Sequence, residues 1–299
     1  MRLVVFADDP DWHCRRLVDA CRRHGAEVTV ESLRRCRFRL GAGGSGIEIP
    51  GFNGGTPDVV FVRNIPSGSF EQVTFRLSLL HGLRELGVRV VNDARAIERC
   101  VDKSMTSFLL ARAGIPTPAT WATENPEQAA DIVRREKGPL VLKPYRGSQG
   151  RGVHVIWDAD ELDDVSNDEG PVFAQRYHTP EGQDHKIYVI GEQMFGVKRI
   201  FPARTYEEKT GQPFTITHEL REIALRCSRA FGVELFGFDV IISGGRPYVV
   251  DIQSFPGFKG VPDAELRLAD YLYAAAQRAV NGEPFIGAGV NGRQNGALL

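Results

Sequence analysis

The sequence predicts an α/β protein: a parallel-sheet lobe followed by two smaller lobes of mixed strands and helices. Short β-rich runs alternate with helical periodicity over residues 2–91, a βαβ order that usually means a parallel sheet. From about residue 140 the β runs come closely spaced, two of them joined by the glycine-rich turn Gly147-Ser-Gln-Gly-Arg-Gly152. At 299 residues the chain can bury a sizeable core and is expected to divide into two or three subdomains.

Arg2-Leu-Val-Val-Phe-Ala7 reads as the first strand, residues 10–24 as a helix ended by Gly25, and Glu27-Val-Thr-Val30 as the second strand. Residues 41–57 are glycine-rich and without periodicity. No helix follows them directly, so they read as a loop or hairpin rather than a phosphate cradle. Asp58-Val-Val-Phe-Val62 is the next strand, and a helix follows with Val73, Leu77, Leu80 and Leu83 at turn spacing. Val88-Arg-Val-Val91 then closes a first lobe at residues 1–95. The central lobe, 96–180, opens with a helix from about Asp102 to Arg112 that Gly114 and Pro116 terminate. Its strands are Leu140-Val-Leu-Lys143, Val153-His-Val-Ile-Trp157 and Val172-Phe-Ala-Gln175, with a short acidic helix at 159–167. The third lobe, 181–285, holds strands near 185–190 and 192–199 and a helix with Leu220, Ile223, Cys227 and Phe231 on one face. Two β runs, 235–242 and 247–252, and a last helix near 264–280 complete it, and 286–299 reads as a frayed tail.

Apolar residues make up 42% of the chain and charged residues 25%, as in an ordinary globular protein. The formal net charge of −1 provides no field of one sign, so neither nucleic acid nor a membrane is expected as a partner. The start, MRLVVFADDP, lacks the basic stretch and long apolar run of a secretion signal. No segment approaches the roughly 18 consecutive apolar residues of a membrane span. The five cysteines include no CxxC and no Cys/His pair at zinc spacing, and Cys14 and Cys21 fit packed thiols on one helix. A cytoplasmic location is expected.

Chemistry gathers in the second half. Lys143 ends a strand and leads into the glycine-rich turn, an arrangement suited to a triphosphate. Glycines let backbone N–H groups approach phosphate oxygens, and the lysine supplies a point charge. The spacing is wrong for a Walker A loop and no helix follows; taken alone, the turn equally fits a hairpin with a mobile tip. Asp239 lies in GFDVII and Asp251 in VVDIQ. Asp251 and Gln253 are two apart on a strand and share a face, and if the two β runs pair, Asp239 can join them. Two carboxylates and an amide oxygen suit Mg2+, whereas solvent-facing strand acids are the plainer reading. Pro256 and Gly257 turn the chain just beyond, and Lys259 either projects back over the cleft or is solvated. His178 and His185 fit loop histidines, and either could serve an amine as base.

These stretches resemble the ATP-grasp superfamily and, within it, the RimK-like carboxylate–amine ligases. The resemblance runs from about Arg63 to Lys259. VNDARAIERCVDKSMTSFLLARAGIPTPAT, GPLVLKPYRGSQGRGV, and GFDVII with VVDIQSFPGFKG carry it, in the family's order. It implies an ATP-grasp fold with an N-terminal parallel-sheet pre-ATP-grasp lobe and ATP held between the central and C-terminal lobes. It also implies that Lys103 and Lys143 contact the ATP phosphates, with Lys143 also near adenine, and that Gly147, Ser148, Gln149, Gly150 and Gly152 belong to a lid over the triphosphate. Gln175, Arg176 and Tyr177 would form the hinge that reads the adenine edge through its backbone, and Asp184 would take the ribose. Asp239, Asp251 and Gln253 would hold Mg2+, as two ions, with Mn2+ the alternative metal. Lys143, Lys186 and Arg199 would steady charge in the reaction, and Arg63, Lys198, Arg204 and Lys259 would meet substrate.

The implied activity is ADP-forming ligation of a small carboxylate to an amine through an acyl phosphate. By the same resemblance the amine is glutamate, the acceptor a cofactor, peptide or protein tail, and the assembly a homo-oligomer. The chain departs from the family at Gln253, where Asn is usual, at Asp251, where Glu is frequent, and at Arg176, where an acid follows the hinge Gln. The family's Arg-and-Asn stretch is replaced by KRIFPAR at 198–204. HKIYVIGEQMFGVKR and VVDIQSFPGFKGV are also similar to the inositol polyphosphate kinases, whose pattern Lys186 fits, which makes an ATP-grasp kinase the alternative. A nucleotide-binding module without turnover is a third reading, resting on Gln253.

Overall fold

The structure, a computed structural model, describes residues 1–41, 46–53, 55–145, 152–162, 170–200, 208 and 210–280. The expected lid residues Gly147, Ser148, Gln149 and Gly150 lie outside the described residues, as do Arg204 and the tail at 286–299. The chain forms two compact units from interrupted stretches. One comprises Met1–Ala96, Leu225–Glu234 and the chain from Asp263; the other comprises Ile97–Ala224 and Leu235–Pro262.

In the first unit, β1 (Arg2–Phe6), α1 (Trp12–Arg23) and β2 (Glu27–Glu31) give the expected βαβ opening. A short hairpin of β3 (Arg37–Arg39) and β4 (Gly46–Glu48) follows, then β5 (Val59–Val62), α2 (Phe70–Glu85) and β6 (Arg89–Val91). The four long-range strands form a parallel sheet in the order β2-β1-β5-β6. β1 is buried from Leu3 to Phe6, as a strand covered on both faces must be. Asp11 caps α1 by accepting from the Cys14 N–H at 2.7 Å, and a Ser69–Gln72 capping box starts α2. Cys14 and Cys21 are buried on α1, and burial pushes the Cys21 thiol up to about 12; none of the five cysteines is in a disulfide.

The last helix, α7 (Ala264–Val280), packs in this first unit rather than in a third lobe. Its stripe Leu268, Leu272, Ala275 and Ala276 is buried, and Arg16–Glu265 and His24–Asp270 ion pairs tie it to α1. Beneath it lies a polar knot. The Arg89 guanidinium sits against both oxygens of Glu234, which also accepts from the Tyr271 hydroxyl, while the Glu234 N–H donates to Asn92 at 3.0 Å.

In the second unit, α4 (Lys103–Arg112) is capped by Asp102, whose side chain accepts from the Met105 N–H at 2.9 Å. β7 (Thr120–Thr123), β8 (Leu140–Leu142), β9 (His154–Ile156) and β10 (Val172–Arg176) form an antiparallel sheet in the order β7-β10-β8-β9. α5 (Pro126–Arg135) covers it, burying Ala129 and Val133 among Leu140, Leu142, Ile156, Leu162 and Ala174. β11 (Gln183–Ile190), β12 (Gln193–Ile200), β13 (Gln212–Phe214), β14 (Leu235–Ser243) and β15 (Arg246–Gln253) make a second antiparallel sheet, ordered β13-β12-β11-β14-β15. α6 (His218–Phe231) begins in this unit and belongs to the first from Leu225 onward; its Leu220, Ile223, Cys227 and Phe231 are all buried, as its periodicity predicts.

α3 (Ala94–Val101), β7, α5 and β13 are absent from the sequence-based assignment. β7 and β13 are too short to show a period, but α5 had a readable start: Asn125 accepts from two backbone N–H groups and Pro126 opens the helix. No helix among the described residues is long and apolar enough to cross a membrane.

Candidate active site

Strand register gathers the charged residues of the second unit. Across β11, Asp184 pairs with Arg199 on one side and Lys186 with Asp239 on the other; across β14–β15, Asp239 pairs with Asp251 and Gly237 with Gln253. Directly paired residues share a face. One face therefore carries Asp184, Lys186, Arg199, Asp239, Asp251 and Gln253. Gly237 keeps that face open, since a Cβ there would meet Lys186 Cε at 3.1 Å and Tyr188 Cδ1 at 3.2 Å.

Asp239 is the hub. It accepts from Lys186 Nζ at 3.0 Å, Arg199 Nη2 at 2.9 Å and Gln253 Nε2 at 3.3 Å. Arg199 also pairs with Asp184, and Gln253 Nε2 donates to Asp251 at 3.0 Å. The Lys186 side chain is 3% exposed, and Asp239 is the acid it pairs with. Burial pushes the Asp251 and Asp184 carboxyls above the ordinary range, and the charge of Asp239 adds to the push in both. Asp239 and Asp251 stand opposite one another across β14–β15, a pairing of like charges that a divalent cation would relieve. Exchanging the amide oxygen and nitrogen of Gln253 brings Oε1 to the same place, which completes three hard oxygen donors. The donor set fits Mg2+, which binds through few protein oxygens and takes the rest from phosphates and water. Among the described residues no group of three or more His, Cys, Asp or Glu could hold a metal, so the pair and the amide are the donors available.

The first sheet of the unit contributes Lys143. Its ammonium donates to Gln175 Oε1 at 2.6 Å and to the Val250 carbonyl at 3.1 Å. Burial lowers its pKa, and the nearby charge of Asp251 opposes that effect. Lys103 donates to the Tyr145 carbonyl at 3.2 Å, and burial lowers its pKa as well. Gly152 has a φ of +70°, and a Cβ there would lie 3.2 Å from Pro144 Cγ.

Several expected residues stand elsewhere. Lys198 alternates with Arg199 along β12, so it lies on the opposite face, with its ammonium 5.5 Å from the Phe214 ring centroid. His185 shares that far face, edge-on to Phe214. Gln175 is buried, so its side chain is not an adenine contact. At the hinge, the Arg176 and Tyr177 N–H groups are already used, on the carbonyls of Ala119 at 2.8 Å and Pro139 at 3.0 Å. They therefore offer adenine no donor. The departure at Arg176 is accounted for by its guanidinium, which pairs with Glu136 and stacks toward Trp121. Lys259 is docked through its backbone, which hydrogen-bonds to the Tyr188 side chain. Arg63 belongs to the first unit, where it donates to Asp11 at 3.0 Å. The carbonyl of Val250, the hydroxyl of Thr120 and the His178–Tyr248 stack at 4.0 Å have no signal in the sequence.

Two family models match the chain, the RimK PreATP-grasp domain over residues 1–97 and the RimK-like ATP-grasp domain over residues 100–274. The chain belongs to the RimK-like ATP-grasp family. Members of this kind are ATP-dependent ligases that form C–N bonds, and both matched models decide for that class over the kinase alternative. A relative named probable alpha-L-glutamate ligase 1, from Shewanella amazonensis, is 26% identical over 298 residues, covering 95% of this chain and 98% of its own. The probable alpha-L-glutamate ligase of Legionella pneumophila is 27% identical over 278 residues, 88% of this chain and 91% of its own. Among solved structures, the ATP-grasp ligase PsnB complexed with minimal precursor, Mg and ADP superposes with a TM-score of 0.72 at 23% identity, over 92% of this chain and 97% of its own. The macrocyclase MdnC of Microcystis aeruginosa, bound with precursor peptide MdnA, gives 0.68 at 17% identity, over 92% and 100%. The fold is ATP-grasp.

Proposed function

We propose that this RimK-like ligase uses Mg-ATP to phosphorylate a carboxylate, releasing ADP, and that the amino group of glutamate then attacks the acyl phosphate, expelling phosphate and forming an amide. The observation that carries the proposal is the single sheet face on which Asp239, Asp251 and Gln253 stand beside Lys186 and Arg199. That face supplies both signs of charge that a moving phosphoryl group requires. Mg2+ held by Asp239, Asp251 and the Gln253 amide oxygen would neutralise charge between the β- and γ-phosphates. Lys143, just past β8, and Lys103, at the start of α4, bind phosphate oxygens. Lys186 and Arg199 exchange part of their hold on Asp239 for the transferring phosphoryl oxygens. Removing one such donor is expected to cost about 2.7–4 kcal/mol of transition-state stabilisation. Asp184 orients Arg199 and lies near enough to the same face to take a ribose hydroxyl.

Glutamate as the amine is supported by the names of the relatives, and a peptide as acceptor by the precursor complexes of PsnB and MdnC. Arg63 and Lys259 remain the substrate-side cations of the proposal, and Lys198 drops out because of the face it occupies. Gln253, whose extra methylene was the one argument for a module without turnover, still reaches Asp251 at 3.0 Å.

Purified protein is incubated with Mg-ATP, glutamate and pools of carboxylates, with ADP and free phosphate read separately. ADP and phosphate formed together, dependent on both carboxylate and amine, with hydroxylamine trapping a hydroxamate, are expected. ADP without phosphate release, the phosphoryl group remaining on an alcohol, would overturn the ligase chemistry.

A further inference from the structure

Gln175 was expected to serve adenine through its backbone only; the residue is 3% exposed, and its side chain is engaged inside the fold from β10. Three side chains from separate elements converge on it. Its Oε1 accepts from Lys143 Nζ at 2.6 Å; its Nε2 donates to Thr120 Oγ1 at 3.1 Å and reaches Ser107 Oγ at 3.5 Å. The orientation of the amide follows from its neighbour rather than from choice. The Thr120 hydroxyl spends its proton on the Pro118 carbonyl at 2.9 Å, so toward Gln175 it can only accept. The amide must therefore turn its NH2 to Thr120 and its oxygen to Lys143. Lys143 in turn has three protons to donate. Gln175 and the Val250 carbonyl take two of them, which aims the remaining direction of the ammonium.

We propose that Gln175 is the positioning residue that fixes the Lys143 ammonium toward the nucleotide phosphates, with Thr120 setting its amide. The inference rests on the reading that Lys143 contacts phosphate. A lysine on a flexible stem meets a phosphate only as well as its rotamer is held. Here β10 and the β14–β15 hairpin hold it from two sides.

Calorimetric titration with adenosine, ADP and ATP in the presence of Mg2+ tests this, using the full chain, Gln175→Met, Lys143→Met and the double variant. Gln175→Met is expected to weaken ADP and ATP roughly ten- to a hundredfold while adenosine stays within about twofold. The double variant should bind ATP no more weakly than Lys143→Met, because Gln175 acts through that lysine. Equal losses for adenosine and ATP, or losses that multiply in the double variant, overturn the inference. A loss in Lys143→Met with none in Gln175→Met also overturns it and leaves the phosphate reading standing. Unchanged ATP affinity in Lys143→Met overturns both. Should Gln175→Met fail to fold, Thr120→Val carries the same test. It keeps the amide but removes its acceptor, and a loss for ATP that spares adenosine is expected; an equal loss for both refutes it.

Discussion

Arg89 and Glu234 form a deeply buried ion pair in the first unit, with side-chain exposures of 6% and 7%, and Arg89→Met is the perturbation that reads their energetics. The substitution leaves the Glu234 carboxylate with the Tyr271 hydroxyl and only the weaker influence of the Arg278 charge. Breaking such a pair from one side costs about 3–5 kcal/mol, a large share of the roughly 5–15 kcal/mol that separates folded from unfolded domains. With urea slopes of about 1–3 kcal/mol per molar, the unfolding midpoint should fall by about 1–5 M. Arg89→Met/Glu234→Gln removes the stranded charge and keeps a partner for Tyr271, so most of the loss should return. The pH dependence has a definite sign. Burial pushes the Glu234 carboxyl up, and Arg89 is the main opposing influence. A carboxyl raised in the folded state holds its proton where the unfolded chain has lost it, so stability falls as pH rises through that window. Without Arg89 the window extends upward. The deficit of Arg89→Met should therefore be larger at about pH 8 than at about pH 6. A loss below about 1 kcal/mol, or a double variant no better than the single one, would refute the reasoning.

Arg199→Ala should lower kcat by about a hundred- to a thousandfold, whereas Lys198→Ala, on the other face of β12, should stay within about twofold. Steady-state turnover of the pair measures whether alternation or mere proximity selects the working residue, and similar losses would count against the face assignment. Asp251→Asn should raise the Mg2+ concentration needed for half-maximal turnover by at least about tenfold; an unchanged Mg2+ titration would remove Asp251 from the metal site. Gly196→Ala puts a Cβ 2.6 Å from the Phe214 ring, and the overpacking should cost about 1–3 kcal/mol, read as a lower melting temperature. A melting temperature equal to that of the parent chain would show that Phe214 can move aside.

How much of this was legible in the sequence depends on which physical rule each feature obeys. Strand alternation is local, so Asp251 and Gln253 are readable as neighbours on one face from their spacing alone. The same rule applied to Lys198 and Arg199 already forbids both from serving one face of a regular strand. The burial of α6 follows from period, and α7 reads as a helix, but the unit to which α7 belongs does not, because a buried stripe does not name its partner. The meeting of Asp239 with Asp251 is the instructive case. Gly244 and Gly245, at φ of 57° and 69°, are the pair a tight hairpin turn demands, and that turn pairs Ser243 with Arg246. Counting back from it, an unbroken ladder would place Asp239 opposite Val250 and send Asp251 and Gln253 to the other face. The ladder instead shifts between Asp239 and Val240, so that Asp239 pairs with Asp251. Val250 is the extra residue, and its carbonyl, left out of the pairing register, is the one that receives Lys143 at 3.1 Å. One inserted residue thus brings the carboxylates together and supplies an acceptor for the lysine. The sequence contains the residues for this site, but a bulge that no local propensity announces decides that they meet.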